Sequence, residues 1–174
     1  MSIKFNIDGS FREATGEAGI GIVCRDHKGS FVGRLSKPVY SVSGFISECL
    51  ALKEALLHRN KFQHQKVIIE TDCNSLYRLI KKRSIEGCDW QCKEVLNEIL
   101  GLLETMMGVS FSLVSRQGHK VADSLATNAA RMMHQHSWLI SAPSSLCKFL
   151  LHDSNILKES YDKMNKRKDR EGVG

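Results

Sequence analysis

The sequence predicts an α/β domain with a five-stranded mixed sheet, in which an antiparallel meander is followed by parallel strands, with helices flanking the sheet. Three observations lead to this fold class. Apolar and polar residues alternate in the first third of the chain, apolar residues recur at helical spacing after Pro38, and short apolar runs then lie between further helical patterns. The predicted order of elements is β-β-β-α-β-α-α-β-α.

The first third of the chain predicts three strands joined by short connections. The first strand, Ile3–Asp8, has its apolar residues at alternate positions, so one face of the strand is expected in the core. Turn-prone residues lead to a second strand, Gly19–Arg25, and a hairpin loop leads to a third, Phe31–Leu35. Short connections of this kind favour antiparallel pairing.

The rest of the chain alternates between helical and strand patterns. A first helix follows Ser43-Gly44, and a short apolar strand, Val67–Ile69, comes after it. A strand that follows a helical crossover favours parallel pairing, and the first strand is the expected partner. The remaining predicted elements are a helix from Asn74, a helix over Trp90–Met107, a strand over Val109–Leu113 and a helix over Lys120–Met133.

Composition narrows the class of protein without choosing a partner. A chain of 174 residues is long enough for one domain with a substantial core. The formal net charge of +6 favours an anionic partner, which could be nucleic acid, a membrane surface or an acidic protein. No apolar run reaches the length of a membrane span, and the first residues enter a strand rather than a secretory signal. We therefore expect an intracellular protein that does not insert in a membrane, with nucleus and cytoplasm both open.

The cysteines are expected to be reduced. Cys24, Cys49 and Cys73 lie in predicted strand or helix segments beside apolar neighbours, where a free thiol behaves as a small core residue. Cys88 and Cys92 form a C-x3-C pair, and the sequence has no second such pair to complete a zinc site. We therefore expect no zinc there.

The chain is expected to divide into three parts. Residues 1–135 form the α/β domain. Residues 136–157 are apolar but broken at Ala142-Pro143, and we expect them to pack back on the domain. Residues 158–174 form a charged tail that we expect to be disordered. Its basic run can be read as a solvated tail, a nuclear address or a phosphate-binding segment.

Four carboxylates stand where predicted strands end or predicted helices begin, and a shared metal site could form there. They are Asp8, Glu48, Asp72 and Asp123. Hard divalent cations prefer oxygen ligands, and a pair of Mg²⁺ ions needs several acidic groups in one cleft. Each carboxylate alone has an ordinary alternative as a solvated or helix-capping residue. The set as a whole suits phosphodiester hydrolysis.

The segments around these carboxylates resemble a known family. They are similar to the ribonuclease H-like domain, in the form common in plants and related to the ribonuclease H domain of non-LTR retroelements. The resemblance covers roughly residues 3–135. Five stretches carry it in order: Asn6–Ser10, Ala18–Asp26, Phe45–Leu52, Glu70–Asp72 and Val121–Ala126.

This resemblance implies a ribonuclease H-like fold and an endoribonuclease that cleaves the RNA strand of RNA–DNA hybrids. Two Mg²⁺ ions, with Mn²⁺ as an alternative, would serve as cofactors about 4 Å apart. Asp8 would bridge the two ions, and Glu48 and Asp72 would hold one of them. Asp123 would help to hold the other. The implied partner is the hybrid, and the implied oligomeric state is a monomer.

Four further residues are candidates for substrate contact. Gly9 and Ser10 follow the first aspartate, and glycine lets a backbone approach nucleic acid closely. Asn74 matches a family position that touches the RNA strand, with an N-cap role as the alternative. His119 stands four residues before Asp123, where plant relatives usually have asparagine. Its alternatives are a role in catalysis, a helix-start position and a solvent-facing position.

Departures from the family pattern leave a second function open. Phe45 and Ile46 occupy places where many ribonucleases H carry polar groups that contact the minor groove. The connection before His119 is too short for the loop that carries a mobile histidine in many of them. The alternative is therefore a catalytically weak or inactive nucleic-acid-binding domain derived from a retroelement. A related exonuclease is disfavoured, because those enzymes place a second acid close after the first one.

Overall fold

The computed structural model describes residues 2–62, 65–116 and 119–132, so the predicted segments 136–157 and 158–174 lie outside the described residues. The strands are β1 (Ser2–Arg12), β2 (Glu17–Arg25), β3 (Phe31–Val39), β4 (Lys66–Thr71) and β5 (Val109–Leu113). The helices are α1 (Gly44–His58), α2 (Asn74–Lys82), α3 (Trp90–Thr105) and α4 (Lys120–Met132), with a short 3₁₀ turn at Arg59–Phe62 after α1.

The five strands form one mixed sheet in the order β3-β2-β1-β4-β5. Strands β1, β2 and β3 pair antiparallel, while β4 pairs parallel with both β1 and β5. The predicted fold class is confirmed, and so is the parallel pairing of the fourth strand with the first. In the β1–β4 register Asn6 lies opposite Glu70, so the strands bring Asp8 and Asp72 to the same level.

Strands β1 to β4 are all longer than the sequence predicts, and the largest extensions are in β1 and β3. Strand β3 continues past Leu35 and through Pro38 to Val39, because β3 lies at the edge of the sheet, where a missing N–H leaves no ladder bond broken. Strand β1 continues past Asp8 to Arg12, and its last residue pairs with Glu17 at the start of β2. The polar residues after Asp8 hid this extension, since they break the alternation on which the prediction relied.

The larger part of the core lies between the sheet and helices α1 and α3. Its largest fully buried side chains are Phe5, Ile7, Ile20, Ile22, Leu35, Leu52, Leu56, Ile69, Leu76, Leu96 and Ile99. A smaller cluster lies on the opposite face, under α4, and consists of Val23, Val121, Ala122 and Leu125. Cys24 and Cys49 are buried as predicted, while Cys73 is half-buried at the N-cap of α2.

Helix α4 lies unusually close to strand β2 at Gly21. A Cβ atom on Gly21 would be 2.3 Å from the carbonyl oxygen of Ala122 and 2.7 Å from the amide nitrogen of Ala126. Gly21 pairs with Asp8 across the β1–β2 ladder, and Ala122 precedes Asp123 in α4. The missing side chain therefore sets the distance between the helix that carries Asp123 and the strand that carries Asp8.

We expect Gly21→Ala to lower the free energy of unfolding by about 1–3 kcal/mol, because the added methyl group meets helix backbone that cannot turn aside. Urea denaturation monitored by circular dichroism measures the change. Gly101→Ala on α3 is the matched control, since a Cβ atom there meets nothing within 4 Å. That control should be stabilised by about 0.5–1 kcal/mol through higher helix propensity. A Gly21→Ala protein as stable as the native one would contradict the close approach of α4.

Candidate metal centre

Asp8 and Asp72 meet at one end of the parallel strand pair. Asp8 is buried, with 7% of its surface exposed, and lies on the face of β1 opposite Phe5 and Ile7. Asp72 follows directly after the last residue of β4 and is partly exposed. Three possible ligand atoms lie within 4.8 Å of one another: one carboxylate oxygen of Asp8, one of Asp72 and one ring nitrogen of His119. Among the described residues, this is the group of three metal-ligand atoms that is close enough to hold one ion.

Helix α1 brings Glu48 against Gly9, the residue that follows Asp8 on β1. The helix begins at Gly44, capped by the Ser43 side chain, which accepts a hydrogen bond from the Ile46 amide at 3.2 Å. Its backbone approaches Gly9 so closely that a Cβ atom there would be 2.3 Å from the Glu48 amide nitrogen. The Gly9 amide donates a hydrogen bond to the Glu48 carboxylate. The close approach that glycine permits at this position is therefore to α1.

Asp123 lies in the first turn of α4 and is the most exposed of the four carboxylates. Its amide nitrogen donates to the carbonyl oxygen of His119 at 3.2 Å, which closes the first turn of the helix. The charge of Asp123 reaches both Asp8 and Glu48, since it contributes to the raised pKa of each. The four sequence-predicted carboxylates therefore act on one another electrostatically, but of these four only Asp8 and Asp72 belong to the group of ligand atoms within 4.8 Å that the described residues form.

Mutual repulsion and burial strongly perturb two of these acids. Burial first, and then the charges of Asp123 and Asp72, raise the pKa of Asp8 to about 8. Burial first, and then Asp8 and Asp72, raise the pKa of Glu48 to about 9. The Oε2 atom of Glu48 is buried and has no hydrogen-bond partner among the described residues. Carboxyl groups crowded in this way fit a divalent cation, which would balance their charge and satisfy the free oxygen.

His119 immediately precedes α4 and is buried, with 2% of its surface exposed. Its Nε2 atom makes a short hydrogen bond to the carbonyl oxygen of Ile7 on β1. Its Nδ1 atom is buried and has no hydrogen-bond partner in the part of the chain that the structure describes. The helix-start interpretation of this residue is therefore correct and the solvent-facing one is wrong. The ring faces the protein interior because α4 packs so closely on the sheet.

The remaining substrate-contact candidates lie beside the carboxylates. Ser10 is partly exposed on β1, two residues after Asp8. Asn74 is exposed and is the first residue of α2, two residues after Asp72. The N-cap of that helix is Cys73, whose side chain makes no capping bond, so the N-cap interpretation of Asn74 was wrong. Contacts of Ser10, Asn74 or Gly9 with nucleic acid stay predictions.

Sequence reasoning missed a polar network directly behind the site. Glu70 accepts a hydrogen bond from the side-chain Nδ2 of Asn6 at 2.8 Å and pairs with the Lys4 ammonium group at 2.9 Å. Asn6 and Glu70 stand two residues before Asp8 and Asp72, respectively. A strand period of two places each pair on one face, so the sequence held a signal for this network. The network ties β1 to β4 next to the two aspartates.

Arg116 was missed as well. Its guanidinium Nε lies 3.6 Å from an Asp72 oxygen, and its side chain is 92% exposed. Its positive charge lowers the pKa of Asp8, but burial and the neighbouring aspartates outweigh that effect. An ion pair this exposed adds little stability, so the guanidinium is available to an incoming anion. The sequence offered no signal for it, because the connection between β5 and α4 has no periodicity.

A groove of about 540 Å³ opens beside the N-terminus of α1. Its walls come from α1, α2 and the start of α3, and the residues that line it are Ser43, Phe45, Ser75, Arg78, Leu79, Lys82, Glu86, Gly87, Cys88, Asp89 and Cys92. Ser75 is three residues from Asp72, and Phe45 is three residues from Glu48. The groove is therefore lined by sequence neighbours of two of the carboxylates, and it carries two basic side chains, Arg78 and Lys82, and two acidic ones, Glu86 and Asp89.

Solved structures of ribonucleases H share this fold. RNase H1 from the halophilic archaeon Halobacterium salinarum NRC-1 is 21% identical, with a TM-score of 0.68 over 75% of this chain and 98% of that one. LC11-RNase H1, isolated from compost by a metagenomic approach and solved in complex with an RNA/DNA hybrid, is 24% identical, with a TM-score of 0.67 over 74% of this chain and 96% of that one. The foamy viral protease-reverse transcriptase in complex with an RNA/DNA hybrid is 20% identical, with a TM-score of 0.62 over 74% of this chain and 20% of that one.

These likenesses show a ribonuclease H-like fold, as the sequence resemblance implied. No curated protein sequence is a significant match. Of the helices that the structure describes, none combines the length and apolarity needed to cross a bilayer. The model of the reverse transcriptase-like family matches residues 6–129, a segment that includes all four carboxylates and well over half of the chain. The chain therefore belongs to the reverse transcriptase-like family.

Proposed function

We propose that the protein is a metal-dependent endoribonuclease that cleaves the RNA strand of RNA–DNA hybrids. The observation that carries this proposal is the cluster of four carboxylates, which come from β1, α1, the end of β4 and α4. Two of them have pKa values raised above neutrality, and one has a buried oxygen without a partner among the described residues. A fold that tolerates this much unbalanced acid at one point is suited to holding cations there.

Divalent ions bound at this point would activate a water molecule and stabilise the leaving oxygen of a phosphodiester. Asp8, Glu48 and Asp72 would hold one ion, and Asp8 and Asp123 would help to hold the other. The protein contributes the orientation of these groups: the Gly9 amide holds the Glu48 carboxylate, and β4 holds Asp72 beside Asp8. Mg²⁺ and Mn²⁺ are both compatible with a site dominated by carboxylates.

The surface around the site suits a nucleic acid backbone. The groove beside α1 carries Arg78 and Lys82, which can contact phosphates, and it also carries the acidic Glu86 and Asp89. The Ser43 and Ser75 hydroxyl groups add two further polar contacts. Arg116 adds an exposed guanidinium next to Asp72. The relative solved with an RNA/DNA hybrid supports a hybrid as the substrate. Helices of A-like geometry are recognised mainly through phosphates and 2′-hydroxyl groups, so we expect little sequence preference.

One observation favours the second function, a nucleic-acid-binding domain with little or no activity. Phe45 lines the groove directly beside the α1 N-terminus, where an apolar ring cannot hydrogen-bond to a minor groove. This loss would weaken the seating of the substrate without altering the carboxylates. We therefore expect cleavage to be present but modest.

A cleavage assay distinguishes the two functions. The full-length protein should cleave the RNA strand of a labelled hybrid with Mg²⁺ or Mn²⁺, stop when the ion is chelated, and spare both duplex DNA and single-stranded RNA. Binding of the hybrid should weaken steeply with salt in either case, because phosphate contacts release counterions. Salt-sensitive binding with no cleavage in either ion would identify the inactive binding domain.

Asp72→Asn tests whether this carboxylate is functional or structural. Loss of a residue that only hydrogen-bonds to a metal ligand lowers activity by roughly 10–100-fold. Asp72 is a proposed ligand itself, so we expect the rate of hydrolysis to fall by more than that. The metal-free variant should be as stable as the native protein or more stable, because one of the repelling charges is gone. Glu94→Gln on the exposed surface of α3 is the control and should change neither property. Thermal unfolding and the hybrid assay give both readouts. Unfolding of the Asp72→Asn domain would make Asp72 a structural residue.

The raised pKa values also predict how the metal-free protein responds to pH. Folding raises the pKa of Asp8 from 3.8 to about 8 and that of Glu48 from 4.5 to about 9, so the folded state holds these protons more tightly than the unfolded chain. The contribution of these protons to stability is fully present below about pH 4 and is lost progressively as pH rises towards 8 to 9. Glu48→Gln should flatten this decline in melting temperature, and added Mg²⁺ should reduce it. If the melting temperature fell with pH at the same slope in the native and Glu48→Gln proteins, Glu48 would not be a cause of this pH dependence.

A further inference from the structure

We propose that His119 is a direct metal ligand through Nδ1, so that this centre takes a first-row transition-metal ion such as Mn²⁺ in preference to Mg²⁺. The inference rests on the proposed function only in assuming that the carboxylate cluster binds divalent cations. Histidine adds to that cluster a nitrogen donor that the four carboxylates do not supply. Three observations carry the proposal: the spacing of the ligand atoms, the position of the proton on the imidazole ring and the burial of the ring.

The spacing of the three ligand atoms is close to that of a metal-bound set. One oxygen each from Asp8 and Asp72 and one ring nitrogen of His119 lie within 4.8 Å of one another. Metal–oxygen and metal–nitrogen bonds are about 2.0–2.2 Å long, so two ligands on one ion are at most about 4.4 Å apart. With Nδ1 assigned as the nitrogen of this set, side-chain movements of a few tenths of an ångström would close the set around an ion.

The hydrogen bond to Ile7 determines which nitrogen is available. A carbonyl oxygen can only accept a hydrogen bond, so the Nε2 atom of His119 must carry the proton that it donates to Ile7. In the neutral ring the lone pair then lies on Nδ1. Histidines that bind metals commonly donate their other ring N–H to a carboxylate or a backbone carbonyl, which fixes both tautomer and ring orientation. The bond to Ile7 is of this kind, and Ile7 directly precedes Asp8.

Burial makes the free nitrogen costly unless something binds it. Nδ1 has no hydrogen-bond partner among the described residues, and the residue is 2% exposed. A buried polar atom without a partner costs about 1–3 kcal/mol, so native structures rarely keep one without a function. Glu48 Oε2, in the same cluster, is likewise buried without a partner in the described part of the chain. A cation held by Asp8, Asp72 and His119 would satisfy the Nδ1 atom.

A nitrogen donor changes which ions the centre prefers. Mg²⁺ favours oxygen ligands and gives up its water reluctantly, whereas imidazole suits first-row transition metals. Mn²⁺ is the weakest binder among those metals and also suits carboxylates, but it accepts an imidazole nitrogen more readily than Mg²⁺ does. A centre with two carboxylates and one imidazole should therefore bind Mn²⁺ more tightly than Mg²⁺. An all-carboxylate centre has no such reason to discriminate.

His119→Asn tests the role of the nitrogen. The asparagine amide can still donate to Ile7, but its side chain offers only an oxygen to a cation. Pulsed electron paramagnetic resonance of the full chain loaded with Mn²⁺ should detect nitrogen coupling at the ion. We expect His119→Asn to abolish that coupling and to lower Mn²⁺ affinity by about 10–100-fold, while Mg²⁺ affinity changes little. Isothermal titration of each ion into metal-free protein measures the affinities.

The control is the same substitution at an exposed histidine. His27→Asn, in the loop between β2 and β3, should retain the coupling and both affinities. If circular dichroism shows that His119→Asn does not fold, His119→Gln takes its place. The spectrum of the native protein tests the proposal in either case, because it shows whether a nitrogen atom is bound to Mn²⁺. Absence of nitrogen coupling in the native protein, or coupling that survives replacement of His119, would overturn the proposal.

These measurements separate the proposal from the proposed function. Nitrogen coupling without cleavage of any hybrid would leave His119 as a ligand and reject the nuclease. Cleavage supported by Mg²⁺ and Mn²⁺ alike, without nitrogen coupling, would support the nuclease and reject His119 as a ligand.

Discussion

Parallel pairing of β1 with β4 is the constraint on which the candidate site depends. The register places Asn6 opposite Glu70, so the residues two positions further along each strand, Asp8 and Asp72, reach the same level of the same face. Parallel strands need a crossover connection, and the chain reaches β4 from the antiparallel meander through α1. The helix that makes this pairing possible therefore also delivers Glu48. One topological requirement accounts for three of the four carboxylates.

Close backbone contact converts this topology into a compact cluster. At Gly9 helix α1 touches β1, and at Gly21 helix α4 touches β2 on the opposite face of the sheet. Gly9 directly follows Asp8 in the chain, and Gly21 is the ladder partner of Asp8. A larger side chain at either position would move a helix, and with it Glu48 or Asp123, away from the two aspartates. The geometry of the acids is thus set by residues that carry no chemistry of their own.

The polar residues near the site fall into two groups that differ in whether their hydrogen bonds are complete. Glu70 is buried but is satisfied by Asn6 and Lys4, so its charge is balanced within the protein. Glu48 and His119 each keep a buried atom that lacks a partner among the described residues. The first group stabilises the strand pair, and the second is poised for a ligand. Because two acids of the site have raised pKa values, they make the metal-free domain less stable at neutral pH than at low pH.

The sequence by itself determined the class of the fold, the order of its elements and the four acids. Each of these depends on local signals: alternation over a strand, helical spacing, and carboxylates where elements end or begin. The lengths of β1 and β3, the partners of Asn6 and Glu70, and the burial of His119 were decided only by the tertiary structure. A residue's position in a repeat tells which face of its element it occupies, but not what packs against that face. His119 shows the physical reason, since a helix-start histidine is solvated in isolation and becomes a buried donor only when α4 closes on β1 and β2.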